Sequence, residues 1–227
     1  MLLLNTHNFI LVNADTDSIS FCKPNGEAFT EEESISLVNE INSLLPEKIK
    51  YERDGSFTKM IVAKAKNYIT YNGKTIKYKG SSIKSSTLEP ALKEFIHEVV
   101  EGIVNEKNNH LEIYLKYVKE VLDITDIKRW ATKKSLTNKV YTSTRKNETK
   151  ILDAIQDTEY VEGDKVFLFY RKDKSLALID KFDAACYHVD TYLEKLFKVT
   201  KRFEGVLDTS VFKNYKLKKN KTELETL

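Results

Sequence analysis

Cysteine and histidine are scarce in this sequence of 227 residues, which contains two cysteines and four histidines. Cys22 and Cys186 lie far apart and form no C-x-x-C motif, which argues against both a disulfide framework and a zinc site. The histidines show no ligand-like spacing, so we expect them to be structural or exposed. This cysteine usage suits a reducing, cytoplasmic setting.

Long apolar runs are also missing. The apolar start at Met1–Leu4 is too short for a signal peptide, and no stretch approaches transmembrane length. We therefore expect no membrane partner. A content of 41% hydrophobic and 31% charged residues is typical of a folded globular chain and argues against a disordered tail.

Positive charge is present but unevenly distributed. The net charge is only +3, yet residues 59–84 contain seven lysines and no acid, and residues 128–150 contain eight basic residues and one acid, Glu148. Segregated basic stretches suggest a track for a polyanion such as nucleic acid. The alternative is that these lysines are scattered over ordinary solvated faces.

Apolar spacing and turn signals predict an α+β fold in two parts. The first part, residues 1–80, reads as a β-hairpin, a helix and a second hairpin turning at Asn72-Gly73. The second part, residues 81–227, is predicted to be mainly helical, and its first helix is preceded by a capping-box pattern at Ser86–Glu89. The predicted elements are strands within 8–22, 57–71, 75–78, 166–170 and 176–179, and helices over 31–45, 88–103, 111–122 and 187–198.

The first hairpin carries Asp15 and Asp17 at its tip, separated by Thr16. If the backbone stays extended, period-two alternation puts both carboxylates on one side. Mg²⁺ prefers such oxygen ligands, and phosphoryl transfer uses divalent ions to hold the reacting oxygens. Two alternatives remain: the aspartates cap a turn, or they open an EF-hand loop. In such a loop Gly26 would stand where the twelfth-position glutamate is required.

The stretch V-N-A-D-T-D-S-I-S at 12–20 resembles the D-T-D-S motif of family B DNA polymerases. Reverse transcriptases also carry two hairpin aspartates, but theirs are adjacent. The resemblance implies a palm fold in which Asp17 is a direct metal ligand with Asp15 close by, and in which the complete site holds two Mg²⁺ ions. Both aspartates are therefore the expected catalytic and metal-binding residues.

The segment K-A-K-N-Y at 64–68 is similar to the K-K-R-Y segment of the same family, where a lysine and a tyrosine contact the primer near its 3′ end. It departs from that pattern at Ala65 and Asn67. The alternative is a basic, solvent-facing strand with a core tyrosine. The segments K-Y-K-G at 77–80 and K-S-S-T at 84–87 resemble the palm-to-thumb junction of tailed-bacteriophage enzymes, and R-W-A-T-K-K-S-L at 129–136 resembles thumb sequence. The nucleic-acid-binding residues that the resemblance implies are Lys64, Lys66, Tyr68, Lys77, Lys79, Lys84, Ser85, Lys133 and Lys134.

Two family patterns, D-x-x-S-L-Y-P and K-x-x-x-N-S-x-Y-G, do not occur, and there is no room for an exonuclease. We therefore expect the C-terminal palm (1–80) and thumb (81–227) of a split or truncated DNA-directed DNA polymerase, viral in origin, acting in the host cytoplasm and inactive alone. The expected partners are primer-template DNA, a deoxynucleoside triphosphate, a second polypeptide with the missing domains, and a sliding clamp at the C-terminal tail. The alternative is a non-catalytic module that binds duplex DNA or regulates a partner.

Overall fold

The computed structural model describes residues 7–80 and 87–215. The chain divides into two compact units, residues 1–84 and 85–227. Both contain helices and antiparallel strands, so the α+β class expected from the sequence is confirmed. Within the described ranges, no helix has the length and apolar character needed to cross a membrane.

The first unit consists of a two-stranded sheet, a helix and a three-stranded sheet. Both sheets are antiparallel, with strand orders β1–β2 and β3–β4–β5. In chain order the elements are β1 (Ile10–Asp15), β2 (Ser18–Cys22), α1 (Glu31–Ser43), β3 (Lys59–Lys64), β4 (Asn67–Tyr71) and β5 (Ile76–Lys79).

Helix α1 begins with a capping box. The backbone N–H of Glu33 donates to the Thr30 hydroxyl (3.1 Å), and the Thr30 N–H donates to the Glu33 carboxylate (2.8 Å). These reciprocal bonds satisfy two N–H groups that the first helical turn leaves unpaired. The helix ends at Ser43, with Leu44 as its C-cap, because Leu45 precedes Pro46 and is therefore biased away from helical conformation.

The three-stranded sheet corrects one expectation and confirms another. The Asn72-Gly73 hairpin is present, and the Asn72 side-chain oxygen accepts from the Thr75 N–H (2.8 Å). The single strand expected over 57–71 is wrong, because Ala65 and Lys66 form a turn between β3 and β4. Lys66 there adopts a left-handed φ of +61°, which strand propensity does not reveal.

The second unit is mainly helical and also contains a three-stranded antiparallel sheet of order β6–β7–β8. Its helices are α2 (Pro90–Val104), α3 (His110–Leu122), α4 (Ile127–Trp130), α5 (Asn138–Thr142), α6 (Lys146–Ile155) and α7 (Val189–Thr200). Its strands are β6 (Thr132–Ser135), β7 (Lys165–Tyr170) and β8 (Leu176–Leu178), and 3-10 turns occur at Ile179–Lys181, Ala184–Cys186, Lys201–Phe203 and Thr209–Tyr215.

A chain of aromatic rings forms the centre of the helical part. Phe95 meets Tyr117 with ring centroids 5.4 Å apart, Tyr117 meets Trp130 at 6.4 Å, and Trp130 meets Tyr192 at 6.1 Å. All four side chains are fully buried. Edge-to-face aromatic pairs of this kind contribute about 0.5–1.5 kcal/mol each beyond their burial. They join α2, α3, α4 and α7 into one core.

The beginning of α2 differs from the expected capping box. Glu89 is the N-cap residue, its side chain makes no capping hydrogen bond, and Pro90 occupies the first helical position. Proline suits that position because its missing N–H would be unpaired there in any case. The Glu89 carboxylate accepts instead from Thr132 and Lys195. Ser86, the other end of the expected box, lies outside the described residues.

Candidate carboxylate and nucleic-acid site

Asp15 and Asp17 lie at the tip of the first hairpin. Asp15 ends β1, Ser18 begins β2, and Thr16 and Asp17 form the two-residue loop between them. Thr16 has a φ of +20°, a steric cost for a β-branched residue. The Thr16 hydroxyl donates to Asp15 Oδ1 (3.2 Å). The expectation that strand alternation places both carboxylates on one side required an extended backbone through Asp17, and this condition is not met because Asp17 belongs to the turn.

An aromatic cluster attaches this hairpin to α1. Phe9 stacks on Phe21 with centroids 5.5 Å apart, and Phe29 contacts both rings edge-on. The Lys23 ammonium lies over the Phe29 ring and forms an ion pair of 2.8 Å with Glu33. Hydrogen bonds from Lys23 and then from the Thr30 backbone hold the pKa of Glu33 below its ordinary value. The base of the aspartate hairpin is thus fixed to the first turn of the helix.

A second turn meets the aspartate turn from the neighbouring sheet. Lys66, in the loop between β3 and β4, donates from Nζ to the Thr16 hydroxyl (3.2 Å), and its Nζ lies 3.6 Å from Asp15 Oδ1. The Lys66 side chain is 71% exposed and that of Asp15 is 26% exposed. Lysine, threonine and aspartate therefore form a short polar chain, and the positive charge of Lys66 faces Asp15. The sequence predicted Lys66 at the site but not this contact.

Gly80 supports the Lys66 turn through close backbone approach. It follows β5 with a φ of +95°, and a Cβ at this position would lie 2.2 Å from the Lys66 carbonyl oxygen and 2.3 Å from the Asn67 side-chain oxygen. Only glycine fits such a contact. Sequence reasoning missed this residue, although a glycine at a strand end is a known sign of close backbone approach.

Replacing Gly80 with alanine should therefore destabilise the β3–β5 sheet more than the same change at Gly73. Both glycines have positive φ, but a Cβ at Gly73 would meet nothing within 4 Å. Gly73→Ala should cost about 1–2 kcal/mol for the left-handed backbone alone. Gly80→Ala should cost at least about 1 kcal/mol more, because the turn must move. Amide hydrogen exchange of β3–β5 measures the loss of stability in each variant. Equal losses of stability would show that the close approach at Gly80 does not stabilise the sheet.

The other first-unit lysines predicted to bind nucleic acid follow the three-stranded sheet. Tyr68 pairs with Lys79 across β4 and β5, and Thr70 pairs with Lys77, so Tyr68, Lys77 and Lys79 share one face. Both lysines are exposed and Tyr68 is half-buried. Lys64 is exposed at the end of β3. Two further predicted residues, Lys84 and Ser85, lie outside the described residues.

In the second unit, the predicted lysines Lys133 and Lys134 occupy adjacent positions on β6 and so point to opposite faces. Lys133 pairs with Phe167, and its ammonium lies 5.6 Å from the centre of that partly exposed ring. Lys134 pairs with the buried Val166. The two lysines therefore do not form one continuous patch on this sheet.

The chemistry of the aspartate turn suits a divalent cation in part. Carboxylate oxygens are the hard donors that Mg²⁺ prefers, and the Lys66 ammonium lies 3.6 Å from one such oxygen, Asp15 Oδ1. Across residues 7–80 and 87–215, no group of three or more histidine, cysteine, aspartate or glutamate side chains could hold a metal ion. The turn therefore offers two carboxylate groups, fewer protein ligands than such a group would provide.

Comparison with known proteins gives a family match and similarity to solved structures. The family model described as DNA polymerase family B matches residues 4–172. The fold is similar to the structure of the family B DNA polymerase from the hyperthermophilic archaeon Pyrobaculum calidifontis, with a TM-score of 0.62 and 20% sequence identity over 89% of this chain. The chain covers 27% of the length of that polymerase. No curated protein matches the sequence.

Proposed function

Because this chain belongs to the family B DNA polymerases, we propose that it forms the C-terminal part of the palm (1–80) and the thumb (81–227) of a DNA-directed DNA polymerase. The observation that carries the proposal is the hairpin turn with Asp15 and Asp17 at its tip and Lys66 against it. A tailed-bacteriophage source, with action in the host cytoplasm, is part of the proposal and is supported by the junction sequence alone.

In this proposal Asp17 is the principal metal ligand and Asp15 the second. Two Mg²⁺ ions in the complete site would neutralise charge on the transferred phosphate and orient the attacking oxygen. The fold holds the two aspartate side chains in place. The β1–β2 hairpin fixes both aspartates, and the aromatic cluster at its base limits their movement. Thr16 orients Asp15 through its hydroxyl.

The basic residues supply the grip on primer-template DNA. Lys77, Lys79 and Tyr68 form one face of the β3–β5 sheet, with exposed lysines available for phosphates and a half-buried tyrosine beside them. Lys66 and Lys64 lie at the turn nearest the carboxylates. Lys84, Ser85, Lys133 and Lys134 are further proposed contacts to DNA. Such contacts position DNA without reading its sequence.

A second polypeptide, or a missing upstream segment, completes the enzyme in this proposal. It would carry the rest of the palm, the fingers that hold the deoxynucleoside triphosphate, and the exonuclease. Two observations support this: the chain covers 27% of the archaeal polymerase, and the aspartate hairpin exposes Ile10, Leu11 and Ile19 by about half each. Exposed apolar side chains grouped on one hairpin are typical of a surface that another segment covers. A sliding clamp is proposed at the C-terminal tail, which lies outside the described residues.

The test is reconstitution. This chain alone should bind primer-template DNA modestly and add no nucleotide, because the nucleotide pocket and one metal ligand lie elsewhere. Mixing it with a chain carrying the missing family B segments should produce templated extension that neither chain shows alone, measured on a labelled primer. Extension of a primer with Mg²⁺ by the purified, monomeric chain alone would contradict the proposal that the nucleotide pocket and one metal ligand lie elsewhere. A mixture that binds DNA but never extends a primer would instead favour a non-catalytic DNA-binding module.

A further inference from the structure

The positively charged Lys66 ammonium lies beside the Asp15 carboxylate. Its Nζ lies 3.6 Å from Asp15 Oδ1 and 3.2 Å from the Thr16 hydroxyl, which itself donates to the same Oδ1. The contact depends on two turns with positive φ, at Thr16 (+20°) and Lys66 (+61°), and on the close approach of Gly80. Such backbone conformations cost free energy. Both turns therefore persist because the surrounding structure tolerates local backbone strain there.

An ammonium group and a divalent ion compete for Asp15. Two positive charges about 4 Å apart repel, and both are attracted to the same carboxylate charge. The exposed Lys66 side chain has room to leave, because it is 71% exposed and rotates on a flexible stem. The contact itself is weak, since exposed ion pairs contribute about 0–1 kcal/mol. Lys66 thus places a positive charge next to Asp15 in a contact weak enough to be displaced.

We propose that Lys66 is the resident counter-ion of Asp15 and is displaced by a divalent ion, which frees its ammonium for a nucleic-acid phosphate. This inference rests on the proposed metal-binding role of the aspartates and adds a linkage to it. A metal ion that releases Lys66 favours a DNA contact, and by thermodynamic reciprocity DNA that holds Lys66 favours metal binding. Lys66 is a positioning residue in this scheme.

The direct test is a Mn²⁺ titration of the full chain, with free Mn²⁺ measured by electron paramagnetic resonance. Lys66→Met should bind Mn²⁺ about five-fold more tightly than the unmodified chain, because the competing cation is gone. Lys64→Met is the matched control: it removes the same charge two residues away, and its affinity should change less than two-fold. Lys66→Arg keeps a cation at this position and should stay within two-fold of the unmodified chain.

A double-variant cycle shows whether the effect passes through Asp15. Adding Lys66→Met to Asp15→Asn should produce no further gain in Mn²⁺ affinity, because the shared ligand has lost its charge. A gain that persists without the Asp15 carboxylate, or a gain no larger than that of Lys64→Met, would overturn the displacement. Absence of measurable Mn²⁺ binding in every variant would overturn it too.

The same titration separates this inference from the proposed function. Mn²⁺ binding that is unchanged in both Asp15→Asn and Asp17→Asn would remove the metal role of the aspartates altogether. Binding that depends on both aspartates but is indifferent to Lys66→Met would leave that role intact and refute the displacement alone.

The linkage to DNA has its own readout. Fluorescence anisotropy with a labelled duplex, with and without Mn²⁺, gives the metal-induced change in DNA affinity for each protein. That change should be several-fold more favourable for the unmodified chain than for Lys66→Met. Lys64→Met should weaken DNA binding equally with and without Mn²⁺, so its metal-induced change should match that of the unmodified chain. Equal metal-induced changes in all three proteins would show that Lys66 does not connect the two ligands.

Discussion

Asp17→Ala is expected to reduce templated nucleotide incorporation by the reconstituted polymerase about 10³-fold or more, while duplex affinity stays nearly unchanged. The rate should fall because loss of a metal ligand removes several kcal/mol of transition-state stabilisation, and each 1.36 kcal/mol is a factor of ten. Duplex affinity should persist because phosphate contacts by lysines supply most of it. The Asp17 side chain is exposed in the turn, so its removal should leave the hairpin folded.

Single-turnover primer extension and fluorescence anisotropy measure the two quantities separately. Asp54→Ala is the matched control, since Asp54 is an exposed aspartate in the connection between α1 and β3 and should affect neither. Asp15→Ala should lower incorporation less than Asp17→Ala, in keeping with its secondary role. Full incorporation by the Asp17 variant would refute the catalytic assignment and leave the non-catalytic DNA-binding module as the better interpretation.

Local signals carried most of the correct sequence expectations. The Asn72-Gly73 hairpin depends on a glycine at a φ of +89° and on hydrogen bonds to the Asn72 side chain, both of which are encoded within four residues. Helices α2, α3 and α7 show apolar residues at helical spacing, and each has one buried face. The aspartate hairpin likewise has strand-like runs on both sides of a short polar turn.

Some errors arose because a contact between residues far apart in the sequence determines the local structure, and others because the local sequence favours a different structure. Thr16 and Lys66 are 50 residues apart, and Glu89 and Lys195 are 106 residues apart, so no local pattern shows either contact. The Ala65-Lys66 turn was missed because the apolar and β-branched residues around it favour a continuous strand. β6 was missed because it has the sequence T-K-K-S, without the apolar alternation of a half-buried strand. The functional roles of the aspartates and lysines stay predictions.

The second large effect is expected at Lys195, which forms a partly buried polar cluster around the buried Glu89 in the second unit. Its ammonium donates to the Glu89 carboxylate and to the Thr132 hydroxyl (3.1 Å), and Thr132 donates to the same carboxylate (2.6 Å). The ammonium also lies 4.6 Å from the Tyr170 ring centre and 5.3 Å from that of Tyr192. Burial, with a smaller contribution from the Glu89 charge, raises the pKa of Tyr170 above its ordinary value.

Lys195→Met should lower the free energy of unfolding of the second unit by about 3–5 kcal/mol, because it leaves a buried carboxylate without its counter-charge. Glu89 is 5% exposed and cannot turn to solvent without moving the start of α2. Trp130, the single tryptophan, is fully buried in this unit, so its fluorescence during urea unfolding reports the loss directly.

Lys116→Met provides the matched control, because it breaks a lysine–glutamate pair with Glu98 in which the side chains are 58% and 32% exposed. An exposed pair of this kind contributes about 0–1 kcal/mol. The double variant Glu89→Gln/Lys195→Met should be more stable than Lys195→Met alone, since the uncompensated charge has gone. If Lys195→Met cost no more than Lys116→Met, the cluster would be a peripheral ion pair. If instead the double variant matched the sum of its single variants, Glu89 and Lys195 would not stabilise each other.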